Sequence, residues 1–594
     1  MDIRALIDCA MGRVPADVVI RNATWACVQS GEFIPKTDIA ILRHRIAYVG
    51  EDASHTIGSQ TRIIEADERY AVPGLIDAHM HVESSMLTIT EFVRAVIPHG
   101  TTAMFIDPHE IANVFGLRGV RLMVDEAQRQ FIHVFVQMPS CVPSAPGLET
   151  PGETIGPSEV AEAMTWPGII GLGEMMNFPG VAAGDDKALA EIDTTRNAGK
   201  VVGGHYASLD LGRLFHGYAA GAIQDDHEGT RVEDATQRVR QGMQVLVRYG
   251  SAWHDVAEQA PAIIREKLNS SRFCLCTDDS HCETLVNEGH MDRAVREAIC
   301  NSIPPMTALQ MATINSAVHF KVSHEIGMIA PARFADLLLV RDLKVFKAEL
   351  VMCQGIIMAE NGEIKVELPT NPFPDWALRS IHIPRELSEK DFFIKIPHHL
   401  ADSKIAANVI GIIENQAPNR HLRLPVPVKN GKVLIDGSQD LAKAAVIERH
   451  HNTGEIQLGL VQGFGFKGNC AVATTIAHDC HHLVVVGTND AEMALAANQL
   501  RTSGGGQVVV KDGKVVSEVN LPIGGLISDR PAAQITRDVE GVLEGFRACG
   551  CKLNNPNMQL SLLALVVIPE LRISNLGLVD VNSFDFIPLL EASE

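Results

Sequence analysis

The sequence predicts an α/β protein built on a (β/α)8 TIM-like barrel, with a small β-sandwich domain formed from both segments flanking the barrel and an additional C-terminal α+β domain. Three observations predict it. From about Gly74 to Ser323, apolar runs of strand length (TTAMFIDP, FIHVFVQM, IIGLGEM, KVVGGHY, AGAIQDDH, FCLCTDD) alternate with helical stretches. Shorter, turn-bounded apolar runs lie on both sides of that region, and the texture changes again after the proline-rich joint NPFPDW.

At 594 residues the chain is too long for one hydrophobic core. After a short helical opening, DVVIRNATWACV, DIAILRHRIAYVG and TRIIEADERYAVPG read as strands bounded by turn formers. The same texture returns in GMIAPARFADLLLVRDL and KAELVMCQGIIMAENGEI, so residues 1–73 and 324–375 are expected to form one β domain. Between them, residues 74–323 carry strands that are near-continuous apolar runs, each followed by a helix. That rhythm implies a parallel sheet covered by helices, and about eight units in ~250 residues imply a closed barrel. ALAEIDTTRNAGK and MDRAVREAICNSIPP supply amphipathic outer helices. Residues 376–594 combine alternating strands (QLGLVQGFGF, HHLVVVGT, QVVVKDGKVVSEV) with the Ala-rich helix DAEMALAANQLRTSGGG, long enough for a third domain.

Composition excludes several function classes. A net charge of −21 without a basic stripe argues against nucleic acid, whose binding rests on Lys and Arg neutralising phosphates. No apolar run approaches the ~20 residues of a membrane span. The N-terminus lacks the apolar core of a signal peptide, and twelve scattered cysteines fit reduced thiols, so the expected location is cytoplasmic. Cys274 and Cys276, like Cys549 and Cys551, stand closer together than zinc knuckles usually do. Ser503 to Gly506 lacks the Lys-Ser/Thr of a phosphate loop and reads as a flexible turn.

The chemistry begins at GLIDAHMH, where a strand runs into His79 and His81. Residues i and i+2 of a strand share a face, so both imidazoles can address one ion. A barrel gathers the C-terminal ends of its strands on one face, and further ligands should stand there. Glu174 ends IIGLGEMM, His205 ends KVVGGHY, His227 ends GAIQDDH and Asp278 ends FCLCTDD. Imidazoles and carboxylates suit manganese, iron or zinc, and six such groups exceed what one tetrahedral ion needs, so two divalent ions sharing a bridge are expected. Asp107, His109 and Glu110 follow the next strand and line the mouth, either orienting ligands or touching substrate, with His109 also a candidate for a further ligand. His478 to His482 is a second metal-like cluster, a polar turn or a segment that closes over the active site.

GLIDAHMHVESSM, IDPHEIANV, LGEMMN, GHY, DDHE and CTDDSH resemble the amidohydrolase superfamily, and within it the branch that deaminates adenine. The resemblance runs through the barrel and into the C-terminal region. Many relatives carry a carboxylated lysine on the fourth strand; this chain has Glu174 there, as that branch does. It implies His79 and His81 on one ion, His205 and His227 on the other, Glu174 bridging, and Asp278 both on the first ion and shuttling protons. Asp279 would face the base, its alternative being a helix cap. Glu83 is a candidate for protonating the ring nitrogen, or a bystander. The implied partner is a small molecule, adenine, and the implied assembly a homodimer or homotetramer. Two other readings stay open: a barrel enzyme acting on a cyclic amide or another aminopurine, and a catalytically silent scaffold.

Overall fold

The computed structural model describes residues 2–396, 404–435 and 437–591. They fall into two compact units, one comprising residues up to Pro108 with Arg121–Cys141 and Gly156–Asn371, the other His109–Val120, Val142–Ile155 and the chain from Pro372 onward.

In the first unit, eight strand positions form a parallel ring: β1 (Leu75–His81), β2 (Thr101–Ile106), β3 (His133–Met138), β4 (Ile169–Met175), β5 (Val201–Gly204), β6 (Asp225–Asp226), β7 (Gln244–Arg248) and β8 (Phe273–Cys276). The last resumes beyond Thr277 as β9 (Asp278–Asp279). The ladder runs β5-β4-β3-β2-β1-β9 in one sheet and β6-β7-β8 in another. Asp278 and Asp279 pair with Met80 and His81, joining the sheets at one junction. At the other, the Gln224 N–H donates to the Val202 carbonyl at 2.9 Å. Parallel strands in chain order around such a ring are the (β/α)8 architecture the apolar rhythm predicts.

The floor of this ring is apolar. Ile76, Ala103, Phe105, Val201, Leu246, Cys274 and Cys276 pack together with Ala317 of the helix Ile314–His319 and with Phe320 just beyond it, and the Phe105 and Phe320 rings stack at 3.7 Å. Strand alternation then sends the residue two positions on toward the open end: Asp107 after Phe105, Arg248 after Leu246, Asp278 after Cys276. β1 departs from this. Its register against β2 shifts between Asp77 and Met80, so Ile76 and Ala78 face the floor while His79 and His81 enter the site, a change of face that an unbroken strand forbids.

The flanks of the barrel pair in one nine-stranded sheet. Tyr70–Pro73 from the first flank runs antiparallel to Leu337–Val340 from the second. Its core includes Ile20, Ile39, Ile41, Leu337, Leu339 and Met352.

The second unit holds another nine-stranded sheet, drawn from Lys404–Gly411 through Lys514–Asn520. The Ala-rich segment is helix Asp490–Ser503, started by the Asn489 side chain and ended by Gly504 at φ +89°. Its Met493, Ala496, Ala497 and Leu500 pack on Ala471, Ala473, Val485 and Val508 of the sheet. No described helix is long and apolar enough to cross a membrane.

Candidate functional site

Six of the side chains singled out in the sequence converge at the open end of the ring. Glu174, ending β4, lies among the imidazoles: its Oε2 is 2.8 Å from His205 Nδ1, 3.0 Å from His227 Nε2 and 3.7 Å from His79 Nε2, and its Oε1 is 3.9 Å from His81 Nε2. Asp278 Oδ1 is 3.4 Å from His81 Nε2. The His79 and His227 rings stack at 4.0 Å, and His79 meets His81 edge-on at 4.8 Å. Five of these six residues are buried, and His205 is partly so.

The strands hold these groups in place through a few backbone contacts. His81 Nδ1–H donates to the Asp107 carbonyl at 2.8 Å, which leaves Nε2 as the ring's donor atom toward Glu174 and Asp278. The Tyr218 hydroxyl accepts the His205 N–H and donates to the Met175 carbonyl, tying the end of β5 to that of β4. Asp226, itself paired with Arg238, accepts the backbone N–H groups of Tyr206 and Glu228, bracketing His227. Asp278 sits at φ +60°, left-handed backbone of the kind that concentrates at functional sites.

Electrostatics follows from packing. Burial, reinforced by the imidazoles of His227 and His81, drives His79 well below its ordinary value. The same burial opposes charge on His205, yet Glu174 and Glu228 raise it to about 9. Against burial, His205 and its neighbours hold Glu174 well below the usual carboxylate range, and His81, His227 and Arg248 do the same for Asp278. Positive charge is therefore drawn to one small volume.

These residues fit a metal. His79 Nε2 is buried without a hydrogen-bond partner, a costly state for a nitrogen unless it serves as a ligand. His79, His81 and Glu174 form one group of ligand atoms within reach of a common ion, and Glu174, His205 and His227 form another. Glu174 belongs to both, and mixed imidazole and carboxylate donors suit manganese, iron and zinc alike.

Two further expected residues lie beside this cluster. Asp279 Oδ1 accepts from Ser84 Oγ at 2.5 Å and its Oδ2 from Trp253 Nε1 at 3.3 Å, so its carboxylate is held by side chains rather than capping a helix. Glu83 is buried in the turn Val82–Ser85 that follows β1. His109 stands in the second unit, at the start of helix His109–Phe115, with its Nε2 3.5 Å from Glu110 Oε1.

In that unit Glu110 also meets His478 Nδ1, at 2.8 Å, and His481 Nε2. His481 Nδ1 accepts the Ala477 N–H at 3.1 Å. With Nδ1 accepting, the ring proton sits on Nε2 and faces Glu110, and Glu110, His478 and His481 together form a further group of ligand atoms within reach of a common ion.

Arg248, Asp77 and His290 escaped the sequence reading. Asp77 Oδ2 accepts from Thr277 Oγ1 at 2.5 Å and lies 3.1 Å from His290 Nε2, all fully buried. Arg248 closes QVLVR, a run too short in apolar residues to stand out as the other strands do.

A model described as the amidohydrolase family matches residues 70–358, and one described as the adenine deaminase C-terminal domain matches residues 416–585. Among curated relatives, an adenine deaminase of Ruegeria sp. (strain TM1040) is 56% identical over 99% of this chain and 97% of its own length. Adenine deaminase 3 of Rhizobium meliloti (strain 1021) is 54% identical over 98% and 97%. An adenine deaminase of Moorella thermoacetica (strain ATCC 39073 / JCM 9320) is 47% identical over 99% and 98%.

Proposed function

The chain belongs to the adenine deaminase family of amidohydrolases, and from that premise we propose that it hydrolyses adenine to hypoxanthine and ammonia. The observation that carries the reading is Glu174, whose two carboxylate oxygens are surrounded by four buried or partly buried imidazoles beside Asp278 at the mouth of the barrel.

We assign His79, His81, Glu174, His205, His227 and Asp278 as the groups that hold two divalent ions, with Glu174 shared. Bound there, such ions supply Lewis acidity that lowers the pKa of the attacking water toward neutrality. The protein's own residues manage protons and orientation. Asp278 takes the proton lost as the C6–O bond forms and returns it to the amine as the C6–N bond breaks, a base becoming an acid. Glu83 is assigned to protonate N1 and to recover a proton from the C6 hydroxyl as the carbonyl forms, and Asp279, fixed by Ser84 and Trp253, to accept from the purine's imidazole edge. The assignment includes a cytoplasmic enzyme, a free base as substrate and a homodimer or homotetramer.

The test is direct. Protein loaded separately with manganese, iron and zinc should lower adenine absorbance and release one ammonia per adenine consumed. Protein that holds metal yet leaves adenine intact, or opens cyclic amides instead, overturns the reading.

A further inference from the structure

Arg248 ends β7 with only 2% of its surface exposed, and its guanidinium is shared among three carboxylates. Nε donates to Asp255 Oδ2 at 2.7 Å, while Nη1 donates to Asp278 Oδ2 at 3.1 Å and to Glu228 Oε1. Its Cζ lies 5.0 Å from the centroid of the Trp253 ring, and Trp253 is the residue whose Nε1 holds Asp279. One buried side chain thus reaches both members of the Asp278-Asp279 pair, the first directly and the second through an indole.

We propose that Arg248 is a positioning residue that fixes the Asp278 carboxylate, holding Oδ2 so that Oδ1 is presented toward His81 Nε2 and the metal. The inference rests on the assignment of Asp278 above as ligand and proton carrier. Its physical basis is geometric. A carboxylate on left-handed backbone at a two-residue strand has little secondary structure to restrain its side-chain rotation, and Asp278 is in that position. A guanidinium supplies what the backbone does not, because its N–H groups point in fixed, coplanar directions. Asp255 takes the Nε direction and so sets the plane in which Nη1 meets Asp278. Asp255 stands just ahead of the helix Val256–Ile264, anchoring that plane to a separate element. Lysine carries the same charge on a single rotatable ammonium and cannot satisfy the two directions at once.

Arg248→Lys and Arg248→Ala test this, with two readouts. In the first, manganese is titrated into metal-free protein and followed by calorimetry. Both variants should bind manganese about 10–100-fold less tightly than wild type, the range expected when a group that orients a ligand is lost. In the second, with both ions loaded at saturating manganese, kcat for adenine should fall about 100-fold or more while KM changes less than about threefold, and millimolar methylguanidinium should restore part of the kcat of Arg248→Ala but not of Arg248→Lys, whose side chain fills the space. Circular dichroism and the thermal midpoint identify a variant that fails to fold; Arg248→Gln then replaces it. Wild-type manganese affinity together with near-wild-type kcat in Arg248→Lys overturns the proposal, as does a kcat loss in Arg248→Ala that methylguanidinium leaves untouched. Wild-type protein that binds two ions and ignores adenine overturns the assigned reaction instead, and the manganese titration still decides the role of Arg248.

Discussion

The Asp107 carboxylate, one residue beyond β2, accepts the backbone N–H of Glu174 at 2.8 Å, and the same oxygen would lie 2.1 Å from a Cβ added to Gly173. The Glu174 carboxylate is thus placed by a side chain from two strands away, through a gap that only glycine leaves open. Gly173→Ala should push Asp107 and Glu174 apart, lowering bound manganese per chain and reducing kcat/KM about 10–100-fold. Asp107→Asn keeps an acceptor oxygen and should be the milder change. Metal counting beside steady-state kinetics checks both, and full metal content with unaltered kcat/KM in Gly173→Ala would contradict the placement.

Asp77, Thr277 and His290 form a second buried contact set, at the point where β8 breaks before β9. Asp77 Oδ1 accepts the Thr277 N–H at 3.1 Å, and His290 Nδ1 meets Thr101 Oγ1 at 2.9 Å. Thr277→Val preserves shape but removes the hydroxyl donor to Asp77. Leaving a buried carboxylate oxygen short of a partner costs about 1–3 kcal/mol, so the thermal midpoint should fall measurably. Thr277→Ser should restore it, because the hydroxyl returns.

The barrel and most of its site were legible because the two signals coincide in the chain. A parallel strand buried on both faces is a nearly unbroken apolar run, and one polar residue at its end stands out, as Glu174, His205 and Asp278 do. β7 fails that rule at both ends, since Gln244 and Arg248 frame only three apolar residues; the strand, and Arg248 with it, went unread. Gln244 is buried because its Nε2 donates to the Ser271 carbonyl at 2.9 Å. Contacts such as His290 with Asp77, more than two hundred positions apart, leave no local pattern. The register shift in β1 is equally silent in GLIDAHMH, where the regular i, i+2 argument singles out His79 and His81 without it.

Within the second unit, Glu110 is a buried carboxylate held well below its usual range, against burial, by His478, His481 and His109. Leaving a buried carboxylate short of one hydrogen-bond donor costs about 1–3 kcal/mol. His481→Ala should therefore lower the stability of this unit, and His481→Gln, which retains a donor, should lower it less. Limited proteolysis with identification of the first cut sites between residues 404 and 591 reads the effect locally. Equal protection of His481→Ala and wild type would show that Glu110 does not depend on this imidazole.

Glu191, on the barrel helix Asp186–Asn197, turns inward with 1% of its surface exposed, and its nearest cation, Lys187 Nζ, is 3.8 Å away. Burial, only partly offset by Lys187, pushes its carboxyl up to about 8. In the unfolded chain the same group titrates near the ordinary value of about 4.3. Below that pH both states hold the proton and the group is neutral in its effect. As pH rises from about 4.3 toward 8 the unfolded state releases its proton first, so stability is lost across that window, and above it the loss is complete. Glu191→Gln keeps the shape without the titration. It should raise stability by about 1–3 kcal/mol in mildly alkaline buffer and by much less near pH 5. Thermal melts of both proteins across that window, with metal held constant, give the comparison; a gain independent of pH would mean that Glu191 is already ionised in the folded protein.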